Sequence, residues 1–194
     1  MNEKLAVTMT TLRLFAFSVL LILAVSTIHS SNKTDPVNEH IASLIADIDS
    51  YIKWPDAKSG MDKPLFVAVL GESPLATRIK ELNRTKLPDG RKVKVRVVQA
   101  ELLPSNAHIL VVAAANDKLS AKQLEKLKGT GTLTVTAGAI DLPIILRVDQ
   151  VEAGGKTEIR MILDLKLAAA EHLEVTQKLK KLAITTDPEE MTKR

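Results

Sequence analysis

The sequence contains no cysteine among its 194 residues. This absence excludes disulfide bonds, a thiolate nucleophile and any zinc site built on sulfur ligands. Glycine and proline are also scarce, with 8 of each, so the composition is neither collagen-like nor that of a linker. Hydrophobic residues make up 45% of the chain and charged residues 26%, as in ordinary folded domains. We therefore expect one domain around one core.

The chain also has no large excess of either charge and few aromatic residues. The chain has 27 Lys and Arg against 23 Asp and Glu, and only 3% of its residues are aromatic. Its richest basic run, Arg91–Val97, places Lys92, Lys94 and Arg96 on one face of a predicted strand and valines on the other. We interpret that basic face as a solvated, lysine-guarded sheet edge rather than a phosphate-binding strip, and we expect no nucleic-acid partner.

No apolar run is long enough to cross a bilayer comfortably. The longest, Leu14–Val25, has twelve residues, whereas a spanning helix needs about 20. Lys4 and Arg13 precede this run and small polar residues follow it, which is typical of a secretory signal peptide over residues 1–30. A clean Ala-x-Ala cleavage site is missing, so an uncleaved amino-terminal anchor stays open. Both alternatives place the rest of the chain on the export side of the membrane.

The remaining chain alternates predicted helices and strands. Asp35 and Pro36 predict the start of a helix that continues to Trp54, because Pro55 follows it. Short apolar runs predict three buried strands separated by helices or crossovers, at residues 64–70, 108–114 and 132–136. This order favours a mostly parallel sheet with helices on both faces.

The last third predicts an antiparallel hairpin and two short helices. The hairpin strands are residues 144–149 and 158–163, and two glycines lie in the turn between them. The helices are residues 166–172 and 177–183, and residues 185–194 are a polar tail. The predicted architecture is therefore a three-layer α/β sandwich over residues 31–184, with a mostly parallel sheet and a carboxy-terminal antiparallel hairpin.

Two strings resemble catalytic motifs but lack essential positions. Gly154–Thr157 ends like a P-loop, but Gln150 stands where a glycine is needed and a strand follows instead of a helix. Ser73 sits at a strand-to-helix junction like a nucleophile, but Leu75 replaces the required glycine and Pro74 removes an amide. We expect Ser73 to cap the following helix.

The histidines give no sign of a metal site. His40, His108 and His172 are far apart in the sequence, and the acidic residues show no paired arrangement. We therefore expect no catalytic residue, no metal and no cofactor. A hydrolase stays open only as a rival, since it would need Ser73 and His108 to converge with an acid.

Two segments are candidates for contact with a partner or ligand. Most of the aromatic surface of the mature chain lies at one predicted helix end, in Tyr51 and Trp54, and Pro55 follows them. This segment is an exposed contact, or else Trp54 is a core anchor. Gly71 and Ser73 follow a predicted parallel strand, and ligands of open α/β sheets bind at the carboxyl ends of strands.

A series of short strings between Val37 and Ala183 resembles the YfiR-like family of bacterial periplasmic regulators. The strings occur in the family's order and are Lys53-Trp54-Pro55, Val69-Leu70-Gly71, His108-Ile109-Leu110, Leu133-Thr134-Val135 and the ending Leu179 to Ala183. The resemblance implies a non-enzymatic repressor with an α/β sandwich fold that forms a homodimer. It also implies that the protein restrains an inner-membrane diguanylate cyclase, and so cyclic-di-GMP signalling and biofilm formation, by contacting the periplasmic part of that enzyme.

Departures from the family leave a second function open. Relatives often carry a cysteine where this chain has Ala107, so redox control of the kind proposed for them is excluded here. Asp164 replaces a common asparagine, and residues 137–143 replace a glycine-rich segment. The alternative is a periplasmic module that binds a small ligand and serves as the sensor of another membrane signalling protein.

Overall fold

The computed structural model describes residues 35–60, 63–84, 86–113 and 119–186. The predicted leader, residues 1–30, and residues 187–194 of the predicted tail lie outside the described residues. Within the described ranges, no helix is both long and apolar enough to cross a bilayer.

The described residues form short helices that alternate with strands. The α-helices are α1 (Pro36–Ala46), α2 (Pro74–Lys80), α3 (Ala121–Glu125), α4 (Leu165–Ala170) and α5 (Gln177–Leu182). Short 3-10 segments are Ile48–Ser50, Glu81–Arg84 and Ala100–Leu102. The strands are β1 (Ile52–Lys53), β2 (Leu65–Leu70), β3 (Val93–Val98), β4 (Ile109–Ala113), β5 (Leu133–Ala137), β6 (Leu146–Ala153), β7 (Lys156–Asp164), β8 (Glu174–Val175) and β9 (Ile184–Thr186).

Seven of these strands form the central sheet, in the order β3-β2-β4-β5-β6-β7-β9. All neighbours are parallel except β6 and β7, which form the predicted antiparallel hairpin. Helices cover both faces, so the predicted three-layer α/β architecture is confirmed. Strands β1 and β8 form a separate antiparallel pair.

The sheet divides the apolar core into two clusters. In β2 every residue is buried, because alternate side chains enter opposite faces. Leu65, Val67 and Val69 belong to the larger cluster, which includes residues of α1, α2, α4 and α5. Phe66 and Leu70 belong to the smaller cluster, which includes Leu124 of α3. A continuous apolar run therefore indicated a central strand correctly.

Side-chain caps begin four of the helices. Asp35, Ser73, Ser120 and Asp164 each accept a hydrogen bond from a backbone N–H of the first turn of α1, α2, α3 and α4, respectively. Each cap satisfies a donor that has no partner within its helix. The predicted capping role of Ser73 is thus confirmed.

The prediction that the first helix continues to Trp54 is wrong. Helix α1 ends at Ala46, Asp47 leaves helical geometry, and a 3-10 segment follows. Ile52 and Lys53 then pair with Val175 and Glu174, so a strand replaces the predicted last turn. The partner strand is more than 120 residues away in the sequence, and local periodicity does not detect such a pairing.

The two edges of the sheet differ in character. Strand β3 forms one edge, and Lys92, Lys94 and Arg96 are exposed there, as predicted. Strand β9 forms the other edge and pairs in parallel with β7. It extends to Thr186, two residues into the segment that the sequence assigned to a polar tail.

Candidate functional site

The segment Tyr51–Pro55 is held against the carboxy-terminal part of the domain. Besides the β1–β8 pairing, the Thr176 amide donates to the Tyr51 carbonyl over 2.9 Å. The Thr176 hydroxyl donates to the Ser50 carbonyl over 3.0 Å. Side chains alternate across this short strand, so Ile52 and Trp54 point inward, whereas Lys53 is exposed.

Trp54 lies inside the larger core cluster and is only 8% exposed. Its indole Nε1–H donates to the His108 carbonyl over 3.3 Å, and its ring stands edge-on to the His108 imidazole with centroids 5.7 Å apart. Of the two roles that the sequence left open, its position fits the core anchor. A direct contact at this segment is left to its half-exposed neighbours, Tyr51 and Pro55.

His108 forms hydrogen bonds that join the amino ends of three strands, β2, β4 and β5. Its amide donates to the Phe66 carbonyl over 2.9 Å, and its Nδ1 accepts from the Phe66 amide over 3.0 Å. Its carbonyl accepts from the Leu133 amide over 2.8 Å. Nε2 lies 3.0 Å from the Lys58 carbonyl, so the partners of the ring assign its proton to Nε2. Burial lowers the pKa of His108, which keeps the imidazole neutral.

Lys58 is a buried cation beside this histidine. Its ammonium donates to the Ala107 carbonyl and, over 3.0 Å, to the Thr132 hydroxyl. Burial lowers the pKa of Lys58 to about 8, and the negative charge of Glu171 opposes that shift. The backbone carbonyl of Ala107 thus accepts a hydrogen bond from a buried lysine.

A glycine allows Pro55 to pack closely below the sheet. Gly131 has φ of +70°, and a Cβ at this position would lie 2.8 Å from Pro55 Cγ. The Glu171 carboxylate accepts from the amides of Gly129 and Gly131 over 3.0 and 3.1 Å. Pro55 is therefore positioned by a turn that most residues would distort.

Tyr51 lies partly exposed beneath a cation. Lys178 Nζ is 4.5 Å from the centroid of the tyrosine ring and 3.0 Å from Asp47 Oδ2. The hydrogen bond from Lys178 lowers the pKa of Asp47. The cation and the ring attract each other, so Tyr51 has a defined orientation at the surface.

Gly71 and Ser73 lie at the opposite end of the sheet. Gly71, with φ of +73°, directly follows the carboxyl end of β2, whereas Trp54 and His108 lie at the amino ends of the parallel strands. The structure therefore does not join the two groups of candidate residues. It also separates Ser73, whose Oγ caps α2, from His108, so these two residues do not form the pair that the rival hydrolase would need.

Among the described residues, no three metal-ligating side chains cluster. Sequence reasoning missed Lys58 and undervalued His108, because their partners are backbone carbonyls and amides of distant strands. The His-Ile-Leu string was the one local signal that pointed to His108.

A sequence model described as YfiR/HmsC-like matches residues 39–184. The chain belongs to the YfiR/HmsC-like family. The resemblance seen in the short strings is thereby confirmed. Proteins of this family are periplasmic regulators, not enzymes, and they interact with membrane signalling partners. Among the curated proteins, no sequence matches the chain significantly.

Replacing Trp54 by alanine should destabilise this YfiR/HmsC-like domain. The change leaves a cavity in the core and removes the indole donor, so we expect the free energy of unfolding to fall by about 3 kcal/mol or more. Urea denaturation followed by circular dichroism measures the effect. Leu102→Ala is the control, because Leu102 is 72% exposed. Equal midpoints for Trp54→Ala and the control would contradict the anchor role.

The neutral His108 should make stability fall in weak acid. An unfolded histidine takes up a proton near pH 6.5, whereas the folded His108 does so only at lower pH. The contribution of this group to the free energy of unfolding is therefore complete above pH 6.5 and is lost as the pH falls below that value.

Urea denaturation at pH 7 and pH 5 tests this dependence. His108→Gln should lower stability at pH 7 but should lose less stability than the wild type between the two pH values. An imidazole titration by NMR should give a midpoint below 6.5. A midpoint at or above that value would refute the assignment.

Proposed function

We propose that this protein restrains an inner-membrane diguanylate cyclase by binding the periplasmic part of that enzyme, which lowers the output of cyclic-di-GMP. The observation that carries the proposal is the family match over residues 39–184, because that family consists of periplasmic regulators. The predicted export signal supports the same compartment.

A protein with such a role needs only to bind its partner. The hydrogen bonds of the polar groups at the amino ends of the strands support that view. Both ring nitrogens of His108 are hydrogen-bonded within the domain, and so is the ammonium of Lys58. These groups are engaged in holding the fold rather than poised for reaction. A regulator that binds one state of its partner more tightly by about 1.4 kcal/mol changes the ratio of states tenfold.

We place the contact at the outer side of the β1–β8 pair and call this surface the aromatic edge. It consists of Tyr51, Lys53, Pro55, Glu174 and Lys178. Tyrosine is enriched in protein interfaces, and charged side chains such as these belong to the polar rim around the buried part of an interface. The Lys53–Glu174 ion pair spans the two strands with 2.7 Å between Nζ and Oε1, and both side chains are exposed.

Trp54 then acts as a positioning residue for the aromatic edge. Its buried ring anchors the strand from inside, so its outward neighbours Lys53 and Pro55 are held at the surface. Gly71 and Ser73, at the other end of the sheet, form a second and separate candidate contact. Ser73 contributes there through the helix that it caps.

We also propose that the protein forms a homodimer through β9, the last strand of the sheet in the described part of the chain. Helix α1 does not offer an apolar surface for this contact, because Val37, Ile41 and Ile45 are buried in the protein's own core. Exposed apolar side chains instead lie at the β9 edge, where Leu182 is 54% and Ile184 51% exposed. Edge strands with exposed apolar residues favour pairing with a second copy.

Cells that lack this protein should contain more cyclic-di-GMP, and expression of the wild type should reverse the increase. The double variant Tyr51→Ala, Lys53→Glu should fail to reverse it, because it removes the ring and inverts a charge of the aromatic edge. Lys122→Glu, an exposed change on α3, is the matched control and should act like the wild type. Cyclic-di-GMP is quantified by mass spectrometry in cell extracts.

The outcomes of this experiment test two claims separately: that the partner is a cyclase, and that the aromatic edge is the contact surface. Unchanged cyclic-di-GMP in cells without the protein would overturn the assignment to a cyclase. Full reversal by the double variant would overturn the aromatic edge alone. Capture of the cyclase from detergent-solubilised membranes by the wild type, and not by the double variant, would support both.

Ile184→Lys should convert a dimer into a monomer, because a buried lysine ammonium at the paired edge would lose its hydration. Light scattering coupled to size-exclusion chromatography at micromolar concentration gives the mass. Leu102→Lys is the control and should remain dimeric. A monomeric wild type, or a dimeric Ile184→Lys variant, would contradict the proposed interface.

A further inference from the structure

A cleft of about 510 Å³ opens at the amino ends of β2 and β4, on the face of the sheet that carries Phe66. Its volume is within the range of about 300–1,000 Å³ found for small-molecule sites. We call it the basic cleft, because its lining includes four cationic side chains, Lys58, Lys63, Lys94 and Arg96. No aspartate or glutamate of the described residues lines it.

Strand register brings these charges to one side of the sheet. In the parallel pairing of β2 with β3, Phe66 lies beside Lys94, and Ala68 lies beside Arg96. Both basic side chains therefore share the face of Phe66. Lys63 comes from the segment before β2, and Lys58 comes from the segment after Pro55 and forms hydrogen bonds at the wall of the cleft.

Among the described residues, Lys63, Lys94 and Arg96 form no salt bridge, and the same holds for exposed lysines elsewhere on the domain, such as Lys92 and Lys122. What distinguishes the three cations is that they line one cleft together, without an acidic residue of the described ranges among them. The Cα atoms of Lys94 and Arg96, two residues apart on one strand, are separated by roughly 6.5 Å. A cluster of like charges in a concave site repels itself and attracts anions.

The floor of the cleft is apolar. Phe66 is only 9% exposed and belongs to the smaller core cluster, and Pro64 and Pro104 line the cleft beside it. A simple inorganic anion would leave this apolar surface uncovered. A ligand with a ring next to its charged group would cover it and gain apolar burial.

We infer that the basic cleft binds a small organic phosphate, with the phosphate on Lys63, Lys94 and Arg96 and the ring over Phe66. For Lys94 and Arg96 this inference replaces the interpretation of their strand face as a solvated edge, because the structure places them beside Phe66 in a cleft. A phosphate monoester matches several cations better than a carboxylate does, because it carries close to two negative charges and three acceptor oxygens. The inference does not depend on the proposed control of a cyclase.

Calorimetric titration of the purified protein with phenyl phosphate tests the inference, with inorganic phosphate and phenol as separate arms. Phenyl phosphate should bind saturably, inorganic phosphate more weakly by about threefold or more, and phenol without saturation. Lys94→Glu and Arg96→Glu should each weaken phenyl phosphate binding by about tenfold or more. Both residues are exposed on an edge strand, so the fold should survive, which circular dichroism checks.

Lys166→Glu is the matched control, because Lys166 is an exposed residue of α4 and does not line the cleft. It changes the net charge by the same amount and should leave affinity within about twofold of the wild type. Absence of saturable phenyl phosphate binding would overturn the inference, and so would equal losses in Lys94→Glu and Lys166→Glu. Equal affinity for phenyl phosphate and inorganic phosphate would overturn the role of Phe66.

Discussion

The fold depends on the hydrogen bonds that the buried imidazole of His108 requires. His108 exchanges two hydrogen bonds with the backbone of Phe66, and its ring also reaches the carbonyl of Lys58. Its own carbonyl accepts from both Leu133 and Trp54. Buried polar groups without partners are costly, so the loss of one member of this set would leave others unsatisfied. It fixes the starts of β2, β4 and β5 and the segment that follows Trp54.

This arrangement explains the structural role of the Lys-Trp-Pro string. The tryptophan points into the core, whereas the lysine before it is exposed and the proline after it is half-exposed. A rigid inner anchor thus presents an outer surface at little entropic cost. The basic cleft shares His108 and Lys58 with the same network, so an occupant of the cleft would touch residues that also hold the aromatic edge in place.

Local sequence signals predicted the elements well where local physics decides them. Caps such as Asp35 and Ser73 and the apolar runs of β2 and β4 required only neighbours in the chain. The end of α1 was predicted wrongly because Pro55 marks a position that a helix does not pass, but not the residue at which the helix ends. Ile52 lies before Pro55 and is buried as part of a strand. Trp54 was ambiguous for a related reason, since an aromatic residue at a helix end is compatible with both core and surface.

The sequence by itself determined the α/β class, the mostly parallel character of the sheet, the hairpin and the family, because these follow from hydrophobic period, turn residues and short ordered strings. Only the tertiary structure decided that Glu174 and Val175 pair with the residues before Trp54, that Lys58 is buried against Ala107 and Thr132, and that Lys63, Lys94 and Arg96 converge in one cleft. These contacts join residues that are far apart in the chain. Their geometry depends on strand register and burial, which no local pattern encodes.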